Sequence, residues 1–218
     1  MADRCLLYYI TDRSQFLGDE RARRRALLGK VAEAARAGLD YLQLREKDLS
    51  TRDLEVLARE VVAAVRENSP SMRLLINSRT DVALAAGADG VHLRTDDVSP
   101  HEVRQVVEFS AHRPTTADYF IVATSCHTVA DVFRTESENA DLAVFAPVFG
   151  KRGAAGTSSA GLAALREACR AKIPVLALGG VTMENVASCL EAGAAGVAGI
   201  RLFQENEIDD VVRALRTH

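Results

Sequence analysis

The 218-residue sequence has little net charge and no long apolar run. Its 27 Lys and Arg residues against 30 Asp and Glu residues give a formal charge of −3, so electrostatics give no reason to expect a nucleic acid or an anionic membrane as partner. No apolar run reaches the roughly 18 residues of a membrane span. The apolar segment near the N-terminus lacks a following small-residue cleavage site, so we expect no signal peptide.

Cysteine is also scarce. The four cysteines, Cys5, Cys126, Cys169 and Cys189, form no C-x-x-C pair, which argues against a paired-cysteine metal or redox motif. We expect them to be small packing residues in the reducing environment of the cytoplasm.

Eight short apolar runs alternate with eight stretches of helical period. The predicted strands are 6–11, 41–46, 73–78, 90–94, 119–126, 142–148, 174–180 and 196–201. The predicted helices are 21–37, 51–67, 80–86, 99–109, 128–138, 159–171, 182–192 and 207–217. Strict alternation implies parallel strands, and eight units in this length favour one α/β domain over 1–218, a (β/α)₈ TIM barrel.

Three glycine corners fit that barrel. Gly38, Gly87 and Gly193 each follow a predicted helix and precede an apolar strand. A glycine there predicts a left-handed residue that ends the helix. The opposite strand ends, which carry polar residues, are then expected to form the functional face.

The polar strand ends are rich in cations and poor in aromatic residues, which suits phosphate groups. Gln43, Arg45 and Lys47 alternate along predicted strand two, so all three should face the lumen. We expect them to bind an anion, although a structural ion pair with a lumenal carboxylate is the alternative. Gly179 and Gly180 follow strand seven, where such barrels often bind phosphate; a plain tight turn is the alternative.

Four further residues need a choice between chemistry and structure. Asp96 and Asp97 could bind a divalent cation, or could be negative charges ahead of a helix that begins near Ser99. His92 reads as a packed strand residue. His127 could move a proton or only form a hydrogen bond at the rim.

The chain resembles the thiamine phosphate synthase and TenI thiazole tautomerase superfamily over nearly its whole length. The resemblance rests on Tyr9-Ile10-Thr11-Asp12-Arg13, Leu42-Gln43-Leu44-Arg45-Glu46-Lys47-Asp48, Ile76-Asn77-Ser78-Arg79, Gly90-Val91-His92-Leu93, Ser125-Cys126-His127, Ala146-Pro147-Val148-Phe149 and Leu178-Gly179-Gly180-Val181-Thr182-Met183-Glu184-Asn185.

The resemblance implies an Mg²⁺-dependent transferase of thiamine biosynthesis with small phosphorylated substrates. It would join hydroxymethylpyrimidine pyrophosphate to thiazole phosphate and release pyrophosphate. The implied pyrimidine pyrophosphate ligands are Gln43, Arg45, Lys47, Asn77 and Ser125. Asp97 would bind Mg²⁺, with Asp96 beside it. Gly179, Gly180, Ile200 and Arg201 would hold the thiazole phosphate. The oligomeric state stays open between a monomer and a homodimer.

The chain departs from the synthase pattern at several positions. Ser78 replaces an aspartate that usually binds the metal, and Arg201 replaces a serine. The family's Thr-x-Thr-Lys loop is replaced by Gly150-Lys151-Arg152-Gly153 in the Gly/Ser/Ala-rich segment 150–160, and the resemblance implies Lys151 as the residue that would take the place of the loop lysine. Two alternatives therefore remain: a metal-free TenI-like tautomerase that uses His127 to move a proton, and a non-catalytic barrel that binds a thiamine precursor.

Overall fold

The computed structural model describes residues 4–110, 119–150 and 159–216. Eight parallel strands close into a barrel in chain order, which confirms the predicted (β/α)₈ fold. The strands are β1 Leu6–Ile10, β2 Tyr41–Leu44, β3 Arg73–Asn77, β4 Gly90–Leu93, β5 Ile121–Cys126, β6 Leu142–Phe145, β7 Val175–Ala177 and β8 Gly196–Gly199. The helices are α1 Glu20–Arg36, α2 Thr51–Asn68, α3 Thr80–Ala86, α4 Pro100–Glu108, α5 Val129–Ser137, α6 Gly161–Ala168, α7 Val186–Glu191, α8 Arg201–Gln204 and α9 Ile208–Arg216.

Alternation along the strands separates two apolar cores. The larger core lies between the strands and the surrounding helices, and the smaller one fills the barrel lumen with side chains such as Tyr8, Leu75 and Val144. Successive strand residues point to opposite faces. Gln43 pairs in register with Leu75 of the lumenal core, so the side chain of Gln43 also faces the lumen. Polar residues on this face of β2 therefore lie in the lumen above its apolar layers.

All strands except β5 end earlier than predicted. Strand β2 ends at Leu44, because the next amide, that of Arg45, donates to the side chain of Thr11 and not to a strand carbonyl. Strand β8 ends at Gly199, because Ile200 is the N-cap of helix α8. Two short helical segments were not predicted: the 3₁₀ turn Arg13–Gln15 and helix α8. Both are too short to show a helical period in the sequence.

The predicted chain reversals are confirmed. Gly38, Gly87 and Gly193 have φ values of 80°, 72° and 100°, the left-handed conformation that glycine adopts without a steric penalty. Helix α4 begins with a capping box between Ser99 and Glu102, so the interpretation of Ser99 as its N-cap is also confirmed.

The four cysteines are free thiols, and Cys126 and Cys189 are fully buried. Burial raises the pKa of the Cys189 thiol to about 11, which keeps it protonated and weakly nucleophilic at neutral pH. None of the helices in the described ranges is long and apolar enough to cross a membrane.

Candidate active site

A polar layer closes the apolar lumen at the carboxyl ends of β2 and β3. The side-chain amide of Gln43 donates from Nε2 to Asn77 Oδ1 at 2.8 Å. Gln43 Oε1 is buried and has no hydrogen-bond partner within the described residues. A buried acceptor without a partner is costly, so Gln43 is set up to receive a donor group from a ligand in the lumen.

A chain of three side chains crosses the lumen beside this amide pair. The Tyr8 hydroxyl lies 2.7 Å from His92 Nδ1, and His92 Nε2 lies 2.8 Å from Ser125 Oγ. Burial, with help from the positive charge of Arg45, lowers the pKa of His92 to about 3. His92 is therefore neutral at physiological pH, and the prediction of a packed strand histidine is confirmed. Sequence reasoning missed its contact with Ser125, because β4 and β5 are separated by 27 residues.

Arg45 and Lys47 do not share one environment. Arg45 follows β2 directly, is partly buried, and acts electrostatically on lumenal His92. Lys47 is exposed in the turn that follows. The prediction that Lys47 continues the alternation of β2 is wrong, because the strand ends at Leu44. Within the ranges that the structure describes, neither cation forms an ion pair, so both charges are available to an anion at the barrel mouth.

An ionic network around the buried side chain of Arg13 fixes the turn that carries these two cations. Arg13, which is 3% exposed, donates to Glu46 at 3.1 Å and to both Asp48 oxygens at 2.7 and 2.8 Å. Thr11 Oγ1 donates to Glu46 at 2.6 Å and accepts from the Arg45 amide at 3.0 Å. Burial raises the pKa of the Glu46 carboxyl despite these contacts. The network ties the end of β1 to the residues that follow β2.

The loops after β7 and β8 form a second concave corner, a cavity of about 440 Å³. Gly179, Gly180, Ile200 and Arg201 all line it, so the predicted phosphate-binding set is brought together. Both glycines have positive φ, 94° and 64°. A Cβ on Gly180 would lie 2.8 Å from Phe149 Cβ, so only glycine lets the backbone pass here. Arg201 begins α8 and is not on β8 as predicted.

The two neighbouring acidic residues after β4 differ in exposure. The Asp97 side chain is 13% exposed and that of Asp96 is 74% exposed, and both contact Arg94. Asp97 Oδ2 accepts one hydrogen bond, from the Arg94 amide at 2.7 Å, which leaves a lone pair for a cation. Ser78 directly follows β3, has a φ of 59° and offers only a hydroxyl. The described residues hold no cluster of three potential metal ligands.

His127 lies exposed at the mouth of β5. Its Nδ1 is 2.8 Å from the carbonyl oxygen of Ala146. A carbonyl only accepts, so Nδ1 carries the proton and Nε2 remains a free base in the neutral ring. Cys126 is buried on the opposite face, as expected for adjacent strand residues. Lys151 lies outside the described residues.

Comparison with known proteins identifies the family. The family model of thiamine monophosphate synthase matches residues 7–203. A putative thiamine-phosphate synthase 2 of Aquifex aeolicus is 38% identical over 91% of this chain and 97% of the relative. A thiamine-phosphate synthase of Methanoculleus marisnigri is 38% identical over 96% and 93%. The solved thiamine phosphate pyrophosphorylase of Pyrococcus furiosus superposes with a TM-score of 0.78 at 26% identity, over 99% of this chain and 95% of that structure. The chain belongs to the thiamine monophosphate synthase family.

Proposed function

We propose that this protein is a thiamine phosphate synthase, a transferase that joins hydroxymethylpyrimidine pyrophosphate to thiazole phosphate and releases pyrophosphate. One observation carries the proposal: a single barrel mouth contains two separate sites suited to anions. One lies at β2, β3 and β5, and the other lies in the glycine corner after β7 and β8. A reaction between two phosphorylated substrates requires two such sites on one face.

The described residues supply positioning and charge at the first site. Gln43 and Asn77 offer amide groups to the pyrimidine pyrophosphate. Arg45 and Lys47 stabilise negative charge that develops as pyrophosphate leaves. The pyrimidine cation that remains is attacked by the thiazole nitrogen. Ionisation and attack need little proton transfer, which agrees with a lumen whose buried histidine stays neutral.

The second site holds the other reactant in place. The backbone at Gly179 and Gly180, together with Arg201, would bind the phosphate of the thiazole and direct its ring towards the lumen. Holding both reactants at one mouth replaces a bimolecular encounter by a step within the complex.

We propose Mg²⁺ as the cofactor. Asp97 would hold the ion, because its carboxylate is semi-buried and keeps a lone pair, while exposed Asp96 would contribute less. Mg²⁺ takes few protein ligands when water and substrate phosphate oxygens complete its shell, so the loss of an acid at Ser78 is compatible with binding. The ion would neutralise the charge of the departing pyrophosphate.

We place the activity in the cytoplasm, where four free cysteines stay reduced.

A second candidate function is a metal-free thiazole phosphate tautomerase. Two observations favour it: Ser78 cannot supply a metal-binding charge, and His127 Nε2, at the mouth, has no hydrogen-bond partner among the residues that the structure describes. The glycine corner would serve this reaction equally well, since its substrate also carries a phosphate.

One pair of assays separates the two functions. Wild-type protein and His127→Gln are incubated with both synthase substrates, with Mg²⁺ and with a chelator, and separately with the isomerisable thiazole phosphate alone. The synthase proposal expects Mg²⁺-dependent thiamine phosphate. Absence of that product, together with chelator-resistant isomerisation that His127→Gln abolishes, would replace it by the tautomerase. Failure of both reactions would favour a binding protein.

A further inference from the structure

The hydrogen-bond chain through the lumen has a direction that can be worked out from Tyr8. Its side chain is fully buried, and His92 Nδ1, at 2.7 Å, is the one hydrogen-bond partner of the hydroxyl within the described ranges. A buried hydroxyl has one proton to donate, and leaving it unpaired carries a desolvation penalty. The Tyr8 hydroxyl therefore donates and His92 Nδ1 accepts.

The direction at Tyr8 fixes the tautomer of His92. A neutral imidazole has one protonated nitrogen, and Nδ1 already accepts, so the ring proton lies on Nε2. A positively charged ring is disfavoured here, because burial and the nearby charge of Arg45 oppose it more strongly than Asp97 favours it. The opposite tautomer would make Nδ1 a donor to the Tyr8 oxygen and leave the phenol proton without an acceptor.

The tautomer in turn decides what Ser125 can do. Nε2–H donates to Ser125 Oγ at 2.8 Å, so the serine oxygen already accepts from the protein. Ser125 is partly exposed towards the barrel mouth, and no acceptor within the described residues takes its own proton. The free proton of Ser125 is thus directed at whatever occupies the mouth.

We infer that Tyr8 and His92 are positioning residues that turn the proton of Ser125 towards the barrel mouth, so that the ligand atom best seated on Ser125 is an acceptor such as a pyrophosphate oxygen. The direction of the chain is independent of the function proposed above. The identity of the acceptor as pyrophosphate rests on that function. Ser125 would thereby favour an anionic oxygen over an amino group at this position, because an amino group could use only the second lone pair of Oγ and would leave the serine proton unpaired.

The tautomer can be read directly in solution. Protein labelled with ¹⁵N-histidine gives long-range ¹H–¹⁵N correlations that distinguish protonated from unprotonated ring nitrogens. We expect Nδ1 of His92 to be unprotonated and Nε2 to be protonated in the ligand-free protein. In Tyr8→Phe the Nδ1 nitrogen loses its donor, and its ¹⁵N resonance shifts or the two tautomers mix. A proton on Nδ1 in the wild type would overturn the inference whatever the protein binds.

Two substitutions of His92 test the consequence for binding, with inorganic pyrophosphate as the calorimetric probe. Glutamine places an amide N–H near the position of Nε2, and asparagine places one near Nδ1. His92→Gln should keep affinity within about twofold of wild type, whereas His92→Asn and Ser125→Ala should each weaken it about two- to tenfold, the loss of one hydrogen bond. Equal weakening by glutamine and asparagine would contradict the inference.

Tyr41→Phe is the matched control. Tyr41 packs against Tyr8 in the lumen with ring centroids 5.7 Å apart but takes no part in the chain, so this variant should bind pyrophosphate like wild type. Melting temperatures of all variants show which of them fold. If wild-type protein binds no pyrophosphate while Nε2 carries the proton, the proposed acceptor is wrong and the direction of the chain stands.

Discussion

At the residue scale, the side chains around a cation decide whether it stabilises the fold or can bind a ligand anion. Arg13 donates to the carboxylates of Asp48, Glu20 and Glu46. These hydrogen bonds, the one to Asp48 most of all, raise the pKa of its guanidinium. Arg45 lies two residues beyond Gln43, on the same side of the chain, and makes no ion pair within the described residues. Asp12 interacts with Arg45 through its charge, but no carboxylate of the described residues contacts the guanidinium directly. A partly buried cation without such a contact is unfavourable, which is why Arg45 is the residue that an anion should satisfy.

Replacing Arg45 by alanine should therefore weaken the binding of pyrimidine pyrophosphate. The expected loss is about 1.5–3 kcal/mol, the usual range for a charge-assisted hydrogen bond, measured by calorimetry. Arg52→Ala removes an exposed arginine of helix α2 and is the control that should bind like wild type. Unchanged affinity in a folded Arg45→Ala variant would remove this residue from the site.

The two acidic residues after β4 should respond differently to substitution. Asp97→Ala should lose far more Mg²⁺-dependent activity than Asp96→Ala, because only Asp97 is shielded from solvent. The measurement is the Mg²⁺ concentration dependence of turnover for both variants and wild type. If the two variants lost equal activity, neither carboxylate could be assigned to the ion.

His92 should make stability fall with acid. Its pKa is about 3 in the folded state against an ordinary value near 6.5. Between these values the unfolded chain binds a proton that the folded chain does not, so the free energy of unfolding decreases as pH falls below about 6.5. From pH 7 to pH 5, wild type should lose about 2 kcal/mol more than His92→Gln in urea unfolding. Equal losses would mean that His92 titrates normally.

At the element scale, short connections position the reactive ends of the strands. The sequence motifs around Arg13 and Glu46 are visible as polar strand ends, but their pairing is not, because 33 residues separate them. Arg13 joins β1 to the turn after β2, and Thr11 bonds to both Glu46 and the Arg45 amide. The turn that carries Arg45 and Lys47 is therefore fixed by the buried Arg13–Glu46 ion pair.

Arg13→Met should loosen this turn as well as destabilise the fold. Removing one partner of a buried ion pair costs about 3–5 kcal/mol, and the KM for pyrimidine pyrophosphate should rise as Arg45 loses its fixed position. Arg104→Met is the control, since it breaks a half-buried ion pair, 2.7 Å from Asp141, at the amino-terminal ends of the strands. Both variants should melt earlier, and steady-state kinetics should show a raised KM in Arg13→Met alone. A normal KM in Arg13→Met would reduce the network to a stabilising role.

At the scale of the whole molecule, the fold follows from pattern, while much of the site depends on contacts between distant strands. Alternation predicts eight strands, and the glycines at 38, 87 and 193 place the helix ends within a residue or two. The alternation pattern makes predicted strand two longer than β2 and so places Lys47 wrongly on the strand. The contacts among Tyr8, His92 and Ser125 leave no pattern in the sequence, because they form only when the barrel closes.

The central claim is that this barrel couples two phosphorylated substrates at one mouth. The most direct test follows thiamine phosphate and pyrophosphate together in one sample of wild-type protein with hydroxymethylpyrimidine pyrophosphate, thiazole phosphate and Mg²⁺. We predict that both products appear at equal rates and that omitting either substrate stops thiamine phosphate formation. Folded protein that yields no thiamine phosphate under these conditions would contradict it.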